Sequence, residues 1–299
     1  MKILICSDGT PAADNAARLG GVFAGALQAE TTLLGIAEKS AHEPALREAL
    51  EKQAHWLREK NVSPEIVMHA GDPVRQIVNQ TTRAKYDLVI VGARKTGSTG
   101  LHWRSEKTYE VIKSIEPPVL VAVGEWAQMK QFLVCTGGKE FIEGAIQLTG
   151  KLASAVGAAV TLLHVMAEPP AIYADLVRLE EDVDRLLESN SELCINLRTQ
   201  KEDLEKMGVP TEICIRHGIV IDQVFAQARA NNYDLIVTGS SRARGMVRHY
   251  IMGDLTRSIL NHASCPVLVT RAATASGPRG FWRSIRRAFA TTPSTPPPA

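Results

Sequence analysis

The chain has 299 residues, a formal net charge of +2, 22% charged residues and 45% hydrophobic ones. That length exceeds the roughly 200 residues of a usual single domain, so two domains are expected. The near-balance of charge excludes a surface built throughout to hold nucleic acid.

The five cysteines, at 6, 135, 194, 214 and 265, form no CxxC pair and no metal-ligand spacing. With an opening MKILICS that reads as a strand, they predict a reduced, cytoplasmic chain. No apolar run reaches the roughly 18 residues of a membrane span, because Gly, Asp or Pro cuts each stretch short.

Taken from the N-terminus, strand-like runs fall near 2–7, 31–37, 64–69, 87–92 and 118–123, with helical patterns between them. The series then begins again. ILICSDGT at 3–10 returns as FLVCTGGK at 132–139, and TLLG at 32–35 returns as TLLH at 161–164, both shifted by 129 positions. YDLVIVG at 86–92 returns as YDLIVTG at 233–239, shifted by 147, so about eighteen residues enter the second copy partway through. Domains are expected at 1–125 and 129–271, with 272–299 outside both. Uninterrupted apolar strands indicate parallel sheets covered on both faces, hence a doubly wound α/β tandem. With strand order 3-2-1-4-5, ligands would bind beyond the strand ends between the first and fourth strands. Asp8 and Gly92 stand there in copy one, and Gly137 and Gly239 in copy two.

The added residues lie between Glu168 and His217. There Leu176, Leu179, Val183, Leu186, Asn190, Leu193, Leu197, Gln200, Leu204 and Met207 recur in steps of three and four. A helix over 171–207 would run about 55 Å at 1.5 Å per residue, too long for one crossover. Two readings are open. It projects and forms a homodimeric coiled coil with Asn190 at a buried a position, or it breaks and folds back on copy two.

Past Arg271, the segment GFWRSIRRAFA places Phe281, Trp282, Ile285 and Phe289 on one helical face, with Arg279, Arg283, Arg286 and Arg287 around it. This basic amphipathic pattern suits an anionic membrane surface, where it would make the chain peripheral, or a partner groove. Packing back onto the tandem body is the other reading. The Pro/Thr/Ser end has a disordered composition.

A strand ending in DG[ST], a later strand ending in Gly, a glycine-bearing loop, and a helix leading to PVLV together resemble the universal stress protein family. The resemblance runs twice over nearly all of residues 1–271. It implies a Rossmann-like, adenine nucleotide alpha hydrolase-like fold and ATP or AMP as ligand. It also implies that the final strands, near Val119–Val123 and Val267–Thr270, pair as separate subunits of the family do. In that family an Asp after the first strand meets adenine, and a G-x2-G-x9-G-[ST] loop holds ribose and phosphates through backbone amides.

Copy one keeps Asp8, followed by Gly9, and the first loop glycine as Gly92. Lys95 takes the second glycine's place, and Ser105 with Glu106 stands where Gly and a hydroxyl residue are expected. In copy two Gly137 and Gly138 follow the strand without the Asp. Gly239 sits one residue early for the loop spacing, and Gly253 with Asp254 ends it. An acid thus replaces the hydroxyl in both copies. It would repel a phosphate by roughly 1 to 4 kcal/mol at 4 Å, or cap the helix itself. The basic residues Arg94, Lys95 and Arg104, and Arg242, Arg244, Arg248 and His249, either hold another anion or form a solvated surface. Asp8 is a ligand contact or a cap of the turn after the strand.

No nucleophile, base and metal site cluster. His164 and His217 end two strands but lack a third ligand, and CTGGKEF at 135–141 only faintly resembles the SGGxDS loop of ATP pyrophosphatases. Cys6 and Cys135 read as core thiols. The expectation is a non-enzymatic regulatory or scaffold protein of the stress-protein type with degenerate nucleotide sites. The alternative is an ATP- or AMP-binding sensor, or slow ATPase, using the first site.

Overall fold

A computed structural model describes residues 1–93, 106–124, 126–137, 143–167, 189–242, 250–251 and 253–271, leaving aside the side chains of 240–242, 250–251 and 254. The first strand, β1 (Lys2–Ser7), is a branched apolar run whose Ile3, Leu4 and Ile5 are fully buried, as a strand covered on both faces requires. Helix α1 (Pro11–Leu27) begins with proline in its first turn, where the missing N–H costs nothing. It ends where Gln28 turns left-handed and its N–H reaches the carbonyls of Ala24 and Gly25. The first repeat continues through β2 (Glu30–Ala37), α2 (Glu43–Glu59), β3 (Glu65–Ala70), α3 (Pro73–Arg83), β4 (Leu88–Gly92), α4 (Glu106–Ser114) and β5 (Val119–Ala122).

The second repeat runs β6 (Gln131–Cys135), α5 (Glu143–Val156), β7 (Ala159–Met166), α6 (Glu192–Glu205), β8 (Thr211–His217), α7 (Val220–Ala230) and β9 (Leu235–Arg242). It closes with the short β10 (Tyr250–Ile251), α8 (Asp254–His262) and β11 (Val267–Arg271). Within each repeat the five main strands are parallel in the order expected, with β10 pairing antiparallel to β9 outside that order, and the halves join through their last strands in one sheet, β3-β2-β1-β4-β5-β11-β9-β6-β7-β8. The β5–β11 junction is antiparallel, with Val119 opposite Val269 and Val121 opposite Val267, the pairing the resemblance implied.

One apolar cluster covers each face of this sheet, and both clusters cross the junction. On one face the Phe23 ring of α1 meets the Phe132 ring of β6 edge-on, centroids 6.4 Å apart. On the other, Tyr109 of α4 hydrogen-bonds Asn261 of α8, and Arg257 lies 5.4 Å from the Tyr109 ring centroid. Arg271 completes the seam. Its guanidinium donates to the carbonyls of Ile112 and Ile115, satisfying end groups that α4 cannot bond internally, and to that of Pro117.

The continuous helix expected over 171–207 is corrected in its C-terminal part. Ser189 and Asn190 are exposed and non-helical, and α6 starts only at Glu192, where the Ser191 hydroxyl accepts from the Cys194 N–H at 3.3 Å. A serine bonding the backbone two or three residues on starts a helix, so the chain breaks where the coiled-coil reading needs a buried Asn190. The seam residues Leu197, Gln200 and Leu204 are buried, with α6 packed on α5 and β8. This part of the segment folds back on copy two. Residues 171–188 lie outside the described residues, as do 272–299. No helix among the described residues is long and apolar enough to cross a membrane.

Candidate functional site

Strand order reverses between β1 and β4, and the helices that follow them leave for opposite faces. A cleft of about 340 Å³ opens there at the carboxyl ends of the strands in copy one. Its floor is set by the turn from β1 into α1. The Ser7 hydroxyl accepts from the Gly9 N–H at 3.1 Å, and Asp8 Oδ1 accepts from the Thr10 N–H at 3.1 Å and from its hydroxyl at 2.6 Å. Gly9 permits the turn with φ +76°. Asp8 therefore holds the turn through one oxygen. Its Oδ2 accepts no hydrogen bond among the described residues, and Asp8 as a whole is exposed.

Gly92 closes the far wall, and the reason it is glycine is a close approach. A Cβ there would stand 2.1 Å from the Ala12 carbonyl oxygen and 2.4 Å from its carbon, so the first turn of α1 rests directly on the end of β4. The remaining walls are apolar in depth and charged at the rim. Ile36, Ile77, Val91 and Val111 line the interior, and Lys107 of α4 pairs with Glu38 beyond β2 across the opening. With side chains 46% and 51% exposed, that pair is worth at most about 1 kcal/mol. Such a rim opens to a charged ligand at little cost. Cys6 also faces the cleft, but burial pushes its thiol up to about 12, so it stays protonated and is a poor nucleophile.

Glu106 begins α4 with its side chain exposed, where a carboxylate complements the helix dipole. Lys95 and Ser105 lie outside the described residues, as do Arg94, Arg104 and Gly138. The structure therefore brings Asp8, Gly9 and Gly92 together. Pro73, Ile77, Glu38 and Lys107 were missed from sequence. The same strand order implies them, because it sets the first turns of α3 and α4 beside the crevice.

Copy two keeps the backbone frame and changes its chemistry. Gly137 and Gly239 hold the positions of Asp8 and Gly92, yet a Cβ on either meets nothing within 4 Å among the described residues. Gly253 precedes α8 in an extended conformation, giving no side-chain cap. Thr256 lies where copy one has Thr108. Its hydroxyl donates to the Gly239 carbonyl at 2.7 Å and meets the Thr238 hydroxyl at 3.1 Å, tying α8 to β9. Leu255 replaces Lys107. At the start of α7, Ile219 and Val220 replace Asp72, whose carboxylate caps α3 by accepting from the Arg75 N–H at 2.9 Å, and Pro73. Ile219 is 67% exposed and Val220 42%.

His164 gives a hydrogen bond from Nδ1 to the Thr136 carbonyl at 2.9 Å, since a carbonyl can only accept. No group of three His, Cys, Asp or Glu among the described residues is placed to hold a metal. Cys135, the counterpart of Cys6, also has its thiol pushed up to about 12 by burial. Arg244, Arg248 and His249 lie outside the described residues.

With this geometry in hand, comparison with known proteins adds lineage. A model of the universal stress protein family matches residues 1–122 and again 129–271. Among solved structures, a universal stress protein from Archaeoglobus fulgidus DSM 4304 is similar over 91% of this chain and 98% of its own, with 16% identity and a TM-score of 0.66. A protein from Pseudomonas aeruginosa UCBPP-PA14, described by the same family name, is similar over 97% and 98%, again with 16% identity and a TM-score of 0.66. At that identity the structural likeness concerns the fold. None of the curated proteins searched matches the sequence.

Proposed function

The chain belongs to the universal stress protein family, and on that premise we propose that it is a non-enzymatic regulatory protein whose first repeat takes one adenine nucleotide while its second takes none. The observation that carries this reading is the asymmetry of the two crevices. Copy one joins an apolar interior large enough for a small ligand to an acceptor, Asp8, and a cation, Lys107. Copy two has glycine and leucine in those places. An exposed carboxylate oxygen on Asp8 suits the exocyclic amine of adenine.

Glu106 already supplies negative charge at the start of α4, so each further phosphate adds repulsion there, and AMP is favoured over ATP. Titration calorimetry of the full chain tests the reading. One site is expected, tighter for AMP than for ATP, and weakened about tenfold or more by Asp8→Ala, the equivalent of roughly 1.4 kcal/mol. Two equal sites, or binding indifferent to Asp8→Ala, would refute it.

A further inference from the structure

A second groove lies on the other face of the sheet. The first cleft is lined by Cys6, Ile36 and Ile77, which belong to one apolar cluster, whereas Val22 and Trp126, which line the groove, pack on the other. The groove encloses about 1010 Å³ between α1, the carboxyl end of α2 and the chain that links the two repeats. Asn15, Arg18 and Val22 recur at helical spacing along α1 and share one stripe, as Trp56, Glu59 and Lys60 do on α2. A close approach brings the two stripes together, since a Cβ on Gly25 would stand 2.5 Å from the Lys60 carbonyl oxygen.

The wall formed by the linking chain is fixed. The Trp126 indole N–H donates to Asn15 Oδ1 at 2.8 Å, and the Asn15 amide donates in turn to the Gly124 carbonyl at 3.1 Å. Trp126 is half-buried, so its ring is held in one orientation while part of it still faces water.

Charge in this groove is unbalanced. The Arg18 guanidinium lies 3.9 Å from the Trp56 ring centroid, and neither it nor the Lys60 ammonium makes a hydrogen bond or ion pair to a side-chain acid among the described residues. The acids nearby are already engaged. Asp14 accepts from Lys52 at 2.9 Å and from Gln53 at 2.7 Å, and Glu59 lies 3.4 Å from His55 Nε2. Arg94, Lys95 and Glu125, which adjoin the groove in sequence, lie outside the described residues and add two cations and one acid, so the excess stays positive. A guanidinium held against a ring face keeps its in-plane N–H fork for a carboxylate, and an indole with its N–H already satisfied offers apolar surface beside it.

We propose that this groove is a second ligand site, taking a small planar aromatic carboxylate whose anion pairs with Arg18 and Lys60 and whose ring lies against Trp126. Its recognition chemistry shares no side chain with the Asp8 acceptor and the Lys107 cation of the first cleft.

Titration calorimetry of the full chain with 2-naphthoate, and with 2-naphthamide as its uncharged match, tests this. One site is expected for the naphthoate, tighter than for the amide by about tenfold or more. Arg18→Gln, and separately Lys60→Gln, should lower naphthoate affinity towards that of the amide. Both positions are exposed, so the fold is kept and thermal unfolding should be nearly unchanged. The indole N–H resonance of Trp126, assigned through Trp126→Phe, should move as naphthoate is added. Asp8→Ala should leave the affinity as it is, which keeps this result apart from that of nucleotide binding. Naphthoate that fails to bind at about 1 mM, equal affinity for acid and amide, or affinity indifferent to Arg18→Gln would overturn the proposal. Loss of binding in Asp8→Ala would overturn it too, assigning the ring to the first cleft.

Discussion

Gly92 at the end of β4 and Gly239 within β9 occupy equivalent positions in the two repeats, so replacing each with alanine separates a glycine required by packing from one that is not. At Gly92 the new Cβ would lie 2.1 Å from the Ala12 carbonyl oxygen and 2.8 Å from the Ala13 nitrogen. An ordinary contact lies at 3.4 Å or more, so the Ala12 carbonyl would have to move by more than 1 Å. The obstructing atoms are backbone in the first turn of α1, which cannot swing aside as a side-chain tip can. Overpacking of this kind costs about 1 to 3 kcal/mol, and Gly92→Ala should fall in the upper part of that range. At Gly239 a Cβ meets nothing within 4 Å among the described residues, so Gly239→Ala should lie within about 0.5 kcal/mol of the unmodified protein. Urea unfolding of the two variants side by side, followed by circular dichroism, reads the difference. Ala12 also lines the first cleft, so Gly92→Ala should weaken AMP binding as well. Equal stabilities for the two variants, or a larger loss at Gly239, would refute the argument.

Burial pushes the thiols of Cys6 and Cys265 from an ordinary 9.0 up to about 12. The folded state keeps both protons where the unfolded chain has released them, so stability present below pH 9 falls as pH rises towards 12, by about 1.4 kcal/mol per thiol per unit. Denaturant titrations at pH 8 and 10 should show Cys6→Ala/Cys265→Ala removing roughly 3 kcal/mol of that decline; an unchanged decline would contradict the assignment. Arg271→Lys cannot reproduce the fork onto Ile112, Ile115 and Pro117, and should lower stability by about 1 to 2 kcal/mol in thermal unfolding. Ser191→Ala removes the cap of α6 and should cost about 1 kcal/mol, with faster exchange at the Cys194 amide.

The strands and their order were legible because a parallel strand covered on both faces must be apolar without interruption, and runs such as DLVIVG and DLIVTG say so. Asp8 beside Gly92 followed from that order. The spacing over 171–207 misled because a heptad seam and the inner stripe of a crossover helix put leucines at the same intervals. Ser189, Asn190 and Ser191 carried the break, and three polar residues in a periodic segment are equally at home on a helix surface.

The rim of the first cleft was illegible for another reason. Glu38 and Lys107 are 69 positions apart on separate elements, and nothing local marks them as partners.

By itself, then, the sequence determined the tandem of two α/β units and the loss of the acid from copy two, since each is written in local pattern or in direct comparison of one repeat with the other. Only the tertiary structure decided that α6 folds inward, and it bore out the pairing of the last strands that the resemblance implied. It alone showed Gly92 to be held by the backbone of α1, and Ile219 and Val220 to stand exposed at the start of α7. Each of these depends on which distant surfaces exclude water from one another, and that is a property of the packed chain.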